Sequence, residues 1–202
     1  MPGIERRVRF DRRLRRRTNG GWLAGVDEVG RGCLAGPVVV AAVVLDDDAD
    51  LPGVRDSKLM TPVAREQAYA RIRRACRAFA ALAVSSRDVD RWNVLHASER
   101  GMERVLVRLE RRSGLRVSTV LVDGHRVPGA LADRGLAMVK GDDRSLSIAA
   151  ASVLAKVLRD RLMRAWGRRH PQYGFERHVG YPTPEHLEAL RHELEARGWP
   201  GR

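Results

Sequence analysis

Patterns typical of buried strands and amphipathic helices alternate along this chain. Short runs dense in apolar residues predict strands at 22–27, 38–45, 79–84, 117–122 and 137–139. Apolar residues at helical spacing predict helices at 62–78, 94–112, 147–167 and 183–197. We expect the first two strands to form a hairpin. Strands interleaved with helices are typical of an α/β layered domain, in which sites form where strand ends meet loops.

Carboxylates stand at the ends of three predicted strands: Asp27 with Glu28, then Asp123, then Asp142. At a strand end, acidic side chains can converge without being buried unpaired. Converging carboxylates raise one another's pKa unless positive charge is supplied, and hard oxygen ligands suit Mg²⁺ or Mn²⁺. The pattern therefore indicates a site for two such ions roughly 4 Å apart, which would clamp the attacking and leaving oxygens of a phosphodiester.

Interpretations of these acids that involve no metal site also stay open. Neighbouring strand residues point to opposite faces, so Asp27 and Glu28 share a site only if the backbone bends, and Gly30 and Gly32 allow a bend. Asp142 precedes a predicted helix, and its pattern alone is equally typical of a helix cap or a turn. The recurrence of the layout favours a site.

Several common motifs are absent. The glycines at 30–36 do not match the dinucleotide fingerprint, because the last is one residue late and Pro37 begins a strand where a helix is required. No P-loop or GxSxG motif occurs, and the six histidines lack zinc-ligand spacing, so most are expected on the surface or in packing. Ser152 and Lys156 share one face of an alanine-rich helix, where the lysine could contact phosphate, although exposed lysines are commoner.

The charge of the chain points to a polyanionic partner. Its 202 residues, enough for one ordinary domain, carry a net charge of +13, and residues 1–18 hold eight arginines against two acids. We expect this tail to contact phosphates, a solvated appendage being the alternative. The longest nearly apolar run, 33–45, is shorter than the ~20 residues that span a bilayer. No apolar region follows the arginine-rich start, so we do not expect a secretion signal. Cys33 and Cys76 lack metal-ligand spacing and cannot form a disulfide framework, which agrees with a reducing compartment. We therefore expect a cytoplasmic protein without a membrane partner.

Several segments, in order over roughly residues 22–190, resemble bacterial ribonuclease HII, the type 2 ribonuclease H. They are GVDEVGRG at 25–32, Asp56-Ser57-Lys58, Val122-Asp123-Gly124, Lys140-Gly141-Asp142, IAAASVLAK at 148–156, Arg159-Asp160, PQYGF at 171–175 and GYPT at 180–183. The resemblance implies a ribonuclease H-like α/β fold, with a mixed central sheet flanked by helices and a short helical C-terminal appendage. It divides the chain into a basic tail (1–19), whose order stays open, a catalytic domain (20–169) and a shortened substrate-contacting segment (170–202).

The resemblance also implies an activity. It is endonucleolytic cleavage of the RNA strand of RNA/DNA hybrids, and 5′ of single ribonucleotides in duplex DNA, by a monomer that uses two Mn²⁺ or Mg²⁺ ions and leaves a 3′-hydroxyl and a 5′-phosphate. The implied catalytic metal ligands are Asp27, Glu28, Asp123 and Asp142. The implied substrate contacts are Gly30, Arg31 and Gly32 at the RNA–DNA junction, Tyr181 on the sugar beyond it, and Lys58, Ser152 and Lys156.

The chain departs from the family pattern at three places. His125 replaces the usual asparagine, Met60 lies where leucine is usual, and the chain stops at Arg202 without the usual C-terminal HRRSF-like segment. The first two leave the chemistry intact, and the third is expected to weaken substrate binding. Two other hypotheses stay open: a basic nucleic-acid-binding protein without catalysis, which leaves the four acids unexplained, and a resolvase-like DNA nuclease, against which the glycine turn argues.

Overall fold

A mixed five-stranded sheet with helices on both faces forms the centre of the molecule. The computed structural model describes residues 2–17 and 21–198. The strands are β1 (Trp22–Val29), β2 (Val38–Leu45), β3 (Cys76–Val84), β4 (Val117–Asp123) and β5 (Gly135–Met138). The helices are α1 (Pro2–Arg15), α2 (Pro62–Ala75), α3 (Ser86–Ser113), α4 (Leu146–Arg169), α5 (Phe175–His178) and α6 (Pro184–Ala196). The mixed sheet flanked by helices is confirmed.

The order of the strands in the sheet is β3-β2-β1-β4-β5. β1 pairs antiparallel with β2, which confirms the predicted hairpin, while β4 runs parallel to both β1 and β5. In the β1–β4 register Val26 lies opposite Val122. The residues that follow them, Asp27 and Asp123, therefore stand side by side at the carboxyl ends of neighbouring parallel strands.

Strand β2, which lies between β3 and β1, has the predicted bounds, and every one of its residues is buried. Its odd-numbered residues pack in a cluster with α2 and α4, and its even-numbered residues pack with α3 on the other face. A strand covered on both faces has no solvated side, and this explains its continuous apolar run in place of an alternating pattern.

Helix α4 lies directly against β1. Ser145 caps it by accepting a hydrogen bond from the Ile148 amide at 3.2 Å, and Ala149–Ala151 are fully buried. A Cβ atom placed on Gly25 of β1 would lie 2.2 Å from the carbonyl carbon of Ser147. Contact this close requires glycine at position 25. It also fixes the start of α4 against β1 at a point two residues before Asp27.

Some boundaries differ from the prediction. α3 begins at Ser86 instead of residue 94, and Asn93 interrupts it with φ 64°. The Asn93 side chain accepts hydrogen bonds from the amides of Leu95 and His96, so it caps the second part of the helix. The prediction therefore found this second part and missed the turns before it. β3 likewise begins at Cys76, directly where α2 ends, instead of at residue 79.

The part of the arginine-rich tail that the structure describes is a helix packed on the domain. Ile4 and Val8 of α1 contact the cluster around α4, and Phe10 and Leu14 contact a smaller cluster that includes Leu23. Residues 1, 18 and 19 of the predicted tail, and residue 20 after it, lie outside the described residues. Within residues 2–17 and 21–198, no helix is long and apolar enough to cross a membrane.

Candidate active site

The structure brings the four predicted acids together at one edge of the sheet. Asp27 and Glu28 lie in β1, before the turn at Gly30, Asp123 is the last residue of β4, and Asp142 lies in a 3-10 turn at 141–143 after β5. The negative charge of Asp123 acts on all three of the other carboxylates. We call these four residues the acidic cluster.

The pKa values in the acidic cluster reflect burial and mutual repulsion. Burial, followed by the charges of Glu28 and Asp123, raises the pKa of Asp27 well above its ordinary value. Burial also raises the pKa of Glu28, against the opposing effect of Arg31. Burial and the nearby charges of Asp56 and Asp123 raise the pKa of Asp142 to about 6. A bound cation would relieve the repulsion among these carboxylates.

Asp123 connects the sheet to the loop that carries Asp142. Its Oδ1 accepts a hydrogen bond of 2.7 Å from the Gly141 amide. Lys140, before it, has the left-handed conformation (φ 53°), and a Cβ on Gly141 would lie 2.5 Å from Ile148. The turn at 141–143 therefore fits between β4 and α4 in one conformation, with Asp142 beside Asp123.

Glu28 has one oxygen in use and one without a partner. Its Oε1 accepts a hydrogen bond of 3.0 Å from Arg31, and its Oε2 is buried with no hydrogen-bond partner in the described part of the chain. Lys58, which is exposed on a 3-10 turn at 57–59, adds positive charge nearby. A buried, unpartnered carboxylate oxygen next to two further acids is the feature a bound cation would satisfy.

The donor set fits a hard divalent cation. All four side chains offer oxygen, the ligand that Mg²⁺ and Mn²⁺ take, and they share one edge of the sheet. Within the described residues, no group of three or more His, Cys, Asp or Glu is arranged so that it could hold a metal ion. Each acid of the cluster instead directs one oxygen to a protein donor at 2.7–3.0 Å. Binding would require these side chains to turn toward the ion.

The predicted substrate-contacting turn lies beside the acidic cluster. Gly30 has φ +112°, and a Cβ there would lie 2.6 Å from Arg159 Nε and 2.7 Å from the Pro37 carbonyl oxygen, so the turn requires glycine. Arg31 and Gly32 are exposed, and a Cβ on Gly32 would meet no atom within 4 Å. Position 32 therefore presents open backbone three residues beyond the end of β1.

Tyr181 is attached to that same turn. The Leu34 amide donates to the Gly180 carbonyl at 2.9 Å, and the Tyr181 side chain is hydrogen-bonded to Cys33. Lys156 Nζ lies 5.0 Å from the centre of the tyrosine ring. The structure therefore places the glycine turn and the half-buried ring of Tyr181 in one surface.

Comparison with known proteins decides the family. The family model "Ribonuclease HII" matches residues 24–201. The chain belongs to the ribonuclease HII family. It is 49% identical over 169 residues to the ribonuclease HII of Geobacillus thermodenitrificans, covering 84% of this chain and 63% of that protein. The chain thus spans less than two thirds of the length of this relative.

Two solved structures support the same fold. The ribonuclease H2 of Pyrococcus horikoshii is 26% identical, with a TM-score of 0.74 over 88% of this chain and 89% of that chain. Ribonuclease HII of Archaeoglobus fulgidus, solved in complex with PCNA, is 30% identical, with a TM-score of 0.70 over 89% of this chain and 91% of that chain. The ribonuclease HII resemblance and the fold expected from it are confirmed.

Arg159 is a buried residue of this ribonuclease HII site, which the sequence analysis quoted in the Arg159-Asp160 motif but to which it gave no role. Its side chain is fully buried and donates to three backbone carbonyls, those of Ala35 (2.9 Å), Pro37 (3.0 Å) and Val179 (2.8 Å). It therefore joins the segment after the glycine turn to the segment before Tyr181. The available signal was its spacing, because Arg159 follows Ser152 by seven residues and so shares the inner face of α4.

Two stacked histidines form hydrogen bonds with the backbone of the Tyr181 segment. The rings of His178 and His186 lie 4.3 Å apart, and both residues are buried. His178 Nδ1 accepts from the Gly180 amide, so its Nε2 carries the proton donated to the Tyr173 carbonyl, and burial lowers its pKa. His186 donates from Nδ1 to the Tyr181 carbonyl at 2.9 Å. These two histidines have packing roles, as expected for most of the six.

The remaining predicted contacts lie on α4 and the turn facing it. Ser152 Oγ is 2.9 Å from Ser57 Oγ in a buried pair, and a hydrogen bond with Ser152 lowers the pKa of Asp27 against the larger effect of burial. Lys156 is 8% exposed and its ammonium donates to Asp160 at 2.7 Å. A phosphate contact by Lys156 stays a prediction, because its charge is already paired inside the protein.

The raised pKa of Asp142, caused first by burial and then by repulsion from Asp56 and Asp123, predicts that Asp142→Asn stabilises the metal-free protein at neutral pH. The folded-state pKa of about 6 exceeds the ordinary 3.8, so stability is lost as pH rises through this interval. Asparagine removes this loss and still accepts from the Asp143 amide. We expect a gain of about 1 kcal/mol at pH 7.5 in EDTA, reduced by solvent screening, and almost none at pH 3.5. Thermal unfolding at both pH values measures it.

The exposed Asp133→Asn is the matched control, since it makes the same chemical change outside the acidic cluster. An equal gain in both variants, or a gain of Asp142→Asn that does not depend on pH, would contradict the assignment of the raised pKa to the surroundings of Asp142.

Proposed function

We propose that this chain is a metal-dependent endoribonuclease. It hydrolyses the RNA strand of RNA/DNA hybrids and cuts 5′ of single ribonucleotides in duplex DNA, leaving a 3′-hydroxyl and a 5′-phosphate. The membership of the ribonuclease HII family supports the reaction class. We also propose that it works in the cytoplasm, because its substrates are cellular nucleic acids. We propose further that it works as a monomer.

The observation that carries the proposal is the acidic cluster next to the glycine turn. Four carboxylates interact at the ends of β1 and β4, and three of them have raised pKa values. A protein that only binds nucleic acid gains nothing from negative charge beside its binding surface, because the phosphate backbone would be repelled. A cluster that holds cations turns this repulsion into attraction.

We assign the hydrolytic role to the residues of the acidic cluster. Asp27, Glu28, Asp123 and Asp142 would hold two Mg²⁺ or Mn²⁺ ions. When bound, such ions polarise the phosphodiester and lower the pKa of a water molecule. The protein contributes the position of its carboxylates, held by β1, β4 and the turn at 141–143, and the hydrogen bonds that keep the turn beside the sheet.

Choice of RNA over DNA requires a contact with the 2′-hydroxyl, the local difference between the two sugars. The turn Gly30-Arg31-Gly32, whose backbone is open at Gly32, can supply main-chain donors and acceptors there. Tyr181 lies against the same surface, so its ring would pack on the following sugar, where a deoxyribose fits better than a ribose. Together they align the ribonucleotide with the acidic cluster.

The proposal is tested with labelled duplexes of one sequence: an RNA/DNA hybrid and an all-DNA duplex, each with Mg²⁺, with Mn²⁺ and with EDTA. Cleavage of only the hybrid, abolished by EDTA, is the expected result. Binding of the hybrid without cleavage would support a basic binding protein instead, and equal cleavage of both duplexes would support a DNA nuclease.

Tyr181→Ala should lose cleavage at a single ribonucleotide by about 10- to 100-fold, the amount that aromatic stacking on one nucleotide contributes. Tyr181→Phe keeps the ring and tests whether the hydroxyl, which bonds to Cys33, matters. Initial rates on a duplex with one ribonucleotide measure the effect. Tyr181→Ala cleaving at the wild-type rate would contradict the proposed role of the ring.

A further inference from the structure

Helix α1 lies outside the family match, which begins at residue 24, yet it turns two charged side chains inward. Arg7 is 7% exposed and Asp11 is 5% exposed, although both lie in a segment whose other arginines are mostly at the surface. Burying a charge is costly unless it is paired and hydrogen-bonded. The partners of these two residues are therefore informative.

Arg7 joins the loop of Asp142 to the segment before Ser57. Its Nη1 donates to the carbonyl oxygen of Asp142 at 3.1 Å, and its Nη2 donates to the carbonyl oxygen of Val54 at 2.6 Å. The planar guanidinium makes both bonds at once, in a geometry that a lysine ammonium does not match. The backbone at Asp142 and the backbone at Val54 are thus both bonded to one side chain of α1.

Asp11, one turn further along α1, holds the start of α4. Its Oδ2 accepts hydrogen bonds of 2.8 Å from both the amide and the hydroxyl of Ser147. The first amides of a helix have no partner within the helix, and a carboxylate there is also favoured by the helix dipole. Ser147 lies against Gly25 of β1, so this contact also fixes α4 on the strand that carries Asp27.

The charges around Arg7 complete the arrangement. Burial lowers the pKa of Arg7, and the charges of Asp143, Asp142 and Asp11 oppose this effect by favouring the charged guanidinium. Arg7 therefore supplies positive charge next to the turn at 141–143. The turn is held from β4 by the Asp123 carboxylate and from α1 by Arg7.

We propose that α1 is a positioning element of the active site, with Arg7 as the positioning residue that holds the Asp142 turn in place for cation binding. The binding part of this inference rests on the proposed function, whereas the effect on the turn does not. The arginine-rich segment then has an internal role besides the phosphate contacts expected from its charge.

The test compares Arg7→Met with Arg9→Met in the full chain. Both remove one positive charge from α1, but Arg9 is exposed and its guanidinium bonds within α1 to Glu5. Amide hydrogen exchange, read by mass spectrometry over 141–147 without metal, is the first measurement. Loss of two hydrogen bonds from a charged donor should accelerate exchange there about tenfold in Arg7→Met, and not in Arg9→Met.

The second measurement is Mn²⁺ binding by titration calorimetry, with cleavage kinetics at saturating Mn²⁺. We expect the Mn²⁺ dissociation constant to rise about tenfold in Arg7→Met, with kcat reduced and KM for the hybrid unchanged. If Arg7→Met does not unfold cooperatively and is therefore misfolded, Arg7→Lys, which keeps the charge, replaces it in the comparison with Arg9→Met.

The outcomes separate the two proposals. Faster exchange at 141–147 with no change in Mn²⁺ affinity would overturn the role in cation binding, and equal exchange in the Arg7 and Arg9 variants would overturn the positioning role itself. If the wild-type protein does not cleave hybrids, the proposed function fails, while the exchange measurement still decides whether Arg7 holds the turn.

Discussion

Asp123→Asn is expected to abolish cleavage while leaving hybrid binding intact. Asp123 acts on the other three acids and holds the Gly141 amide. Asparagine keeps the Oδ1 acceptor for that amide, so the turn at 141–143 stays in place and only the charge is lost. Cation polarisation contributes several kcal/mol to such reactions, so the rate should fall about a thousandfold or more. Single-turnover cleavage and a filter-binding assay measure the two effects.

The exposed Asp133→Asn, in the connection between β4 and β5, is the control for the loss of one negative charge. It should cleave at the wild-type rate. Wild-type cleavage by Asp123→Asn would contradict the assignment of the acidic cluster, and loss of binding in parallel with cleavage would show that Asp123 acts on the fold.

Gly25→Ala is expected to cause the largest loss of stability of any single methyl group added to this chain at the sites discussed. The new Cβ would lie 2.2 Å from the Ser147 carbonyl carbon and 2.4 Å from the Ile148 amide nitrogen, which are backbone atoms that cannot turn aside. Overpacking of this kind costs roughly 3 kcal/mol, or more when a helix must shift. Chemical denaturation of the metal-free protein measures it.

Gly129→Ala is the matched control, because a Cβ there meets no atom within 4 Å and the residue does not have positive φ. We expect it to change the free energy of unfolding by less than about 0.5 kcal/mol. A similar small effect for Gly25→Ala would contradict the close contact between α4 and β1 on which the position of Asp27 depends.

The sheet and the acids were predictable because their signals are local. Val38–Leu45 must be apolar throughout to be buried on both faces, so its bounds were predicted correctly. Asp27 and Asp123 follow such runs directly, and parallel strands bring their carboxyl ends to one edge. Their positions at strand ends favoured convergence, whereas the parallel pairing of β1 with β4 that brings them together appears only in the structure.

The parts that were not predicted depend on contacts between distant residues. Arg7 bonds to Asp142 across 135 positions, and Arg159 bonds to Pro37 across 122, so no local window contains either pair. In α1 the buried Arg7 and Asp11 lie among many exposed charged residues, so the sequence alone does not distinguish them. The stacked histidines are similar, since their role appears only once α5 and α6 have packed together.

The most direct test of the account maps the cut in a DNA duplex that carries one ribonucleotide, labelled at the 5′ end of the ribonucleotide-containing strand. With Mg²⁺ or Mn²⁺ the account predicts a single product that ends in a 3′-hydroxyl at the nucleotide before the ribonucleotide, absent with EDTA and in Asp123→Asn. Cleavage 3′ of the ribonucleotide, cleavage that persists in EDTA, or equal cleavage of the all-DNA duplex would contradict it.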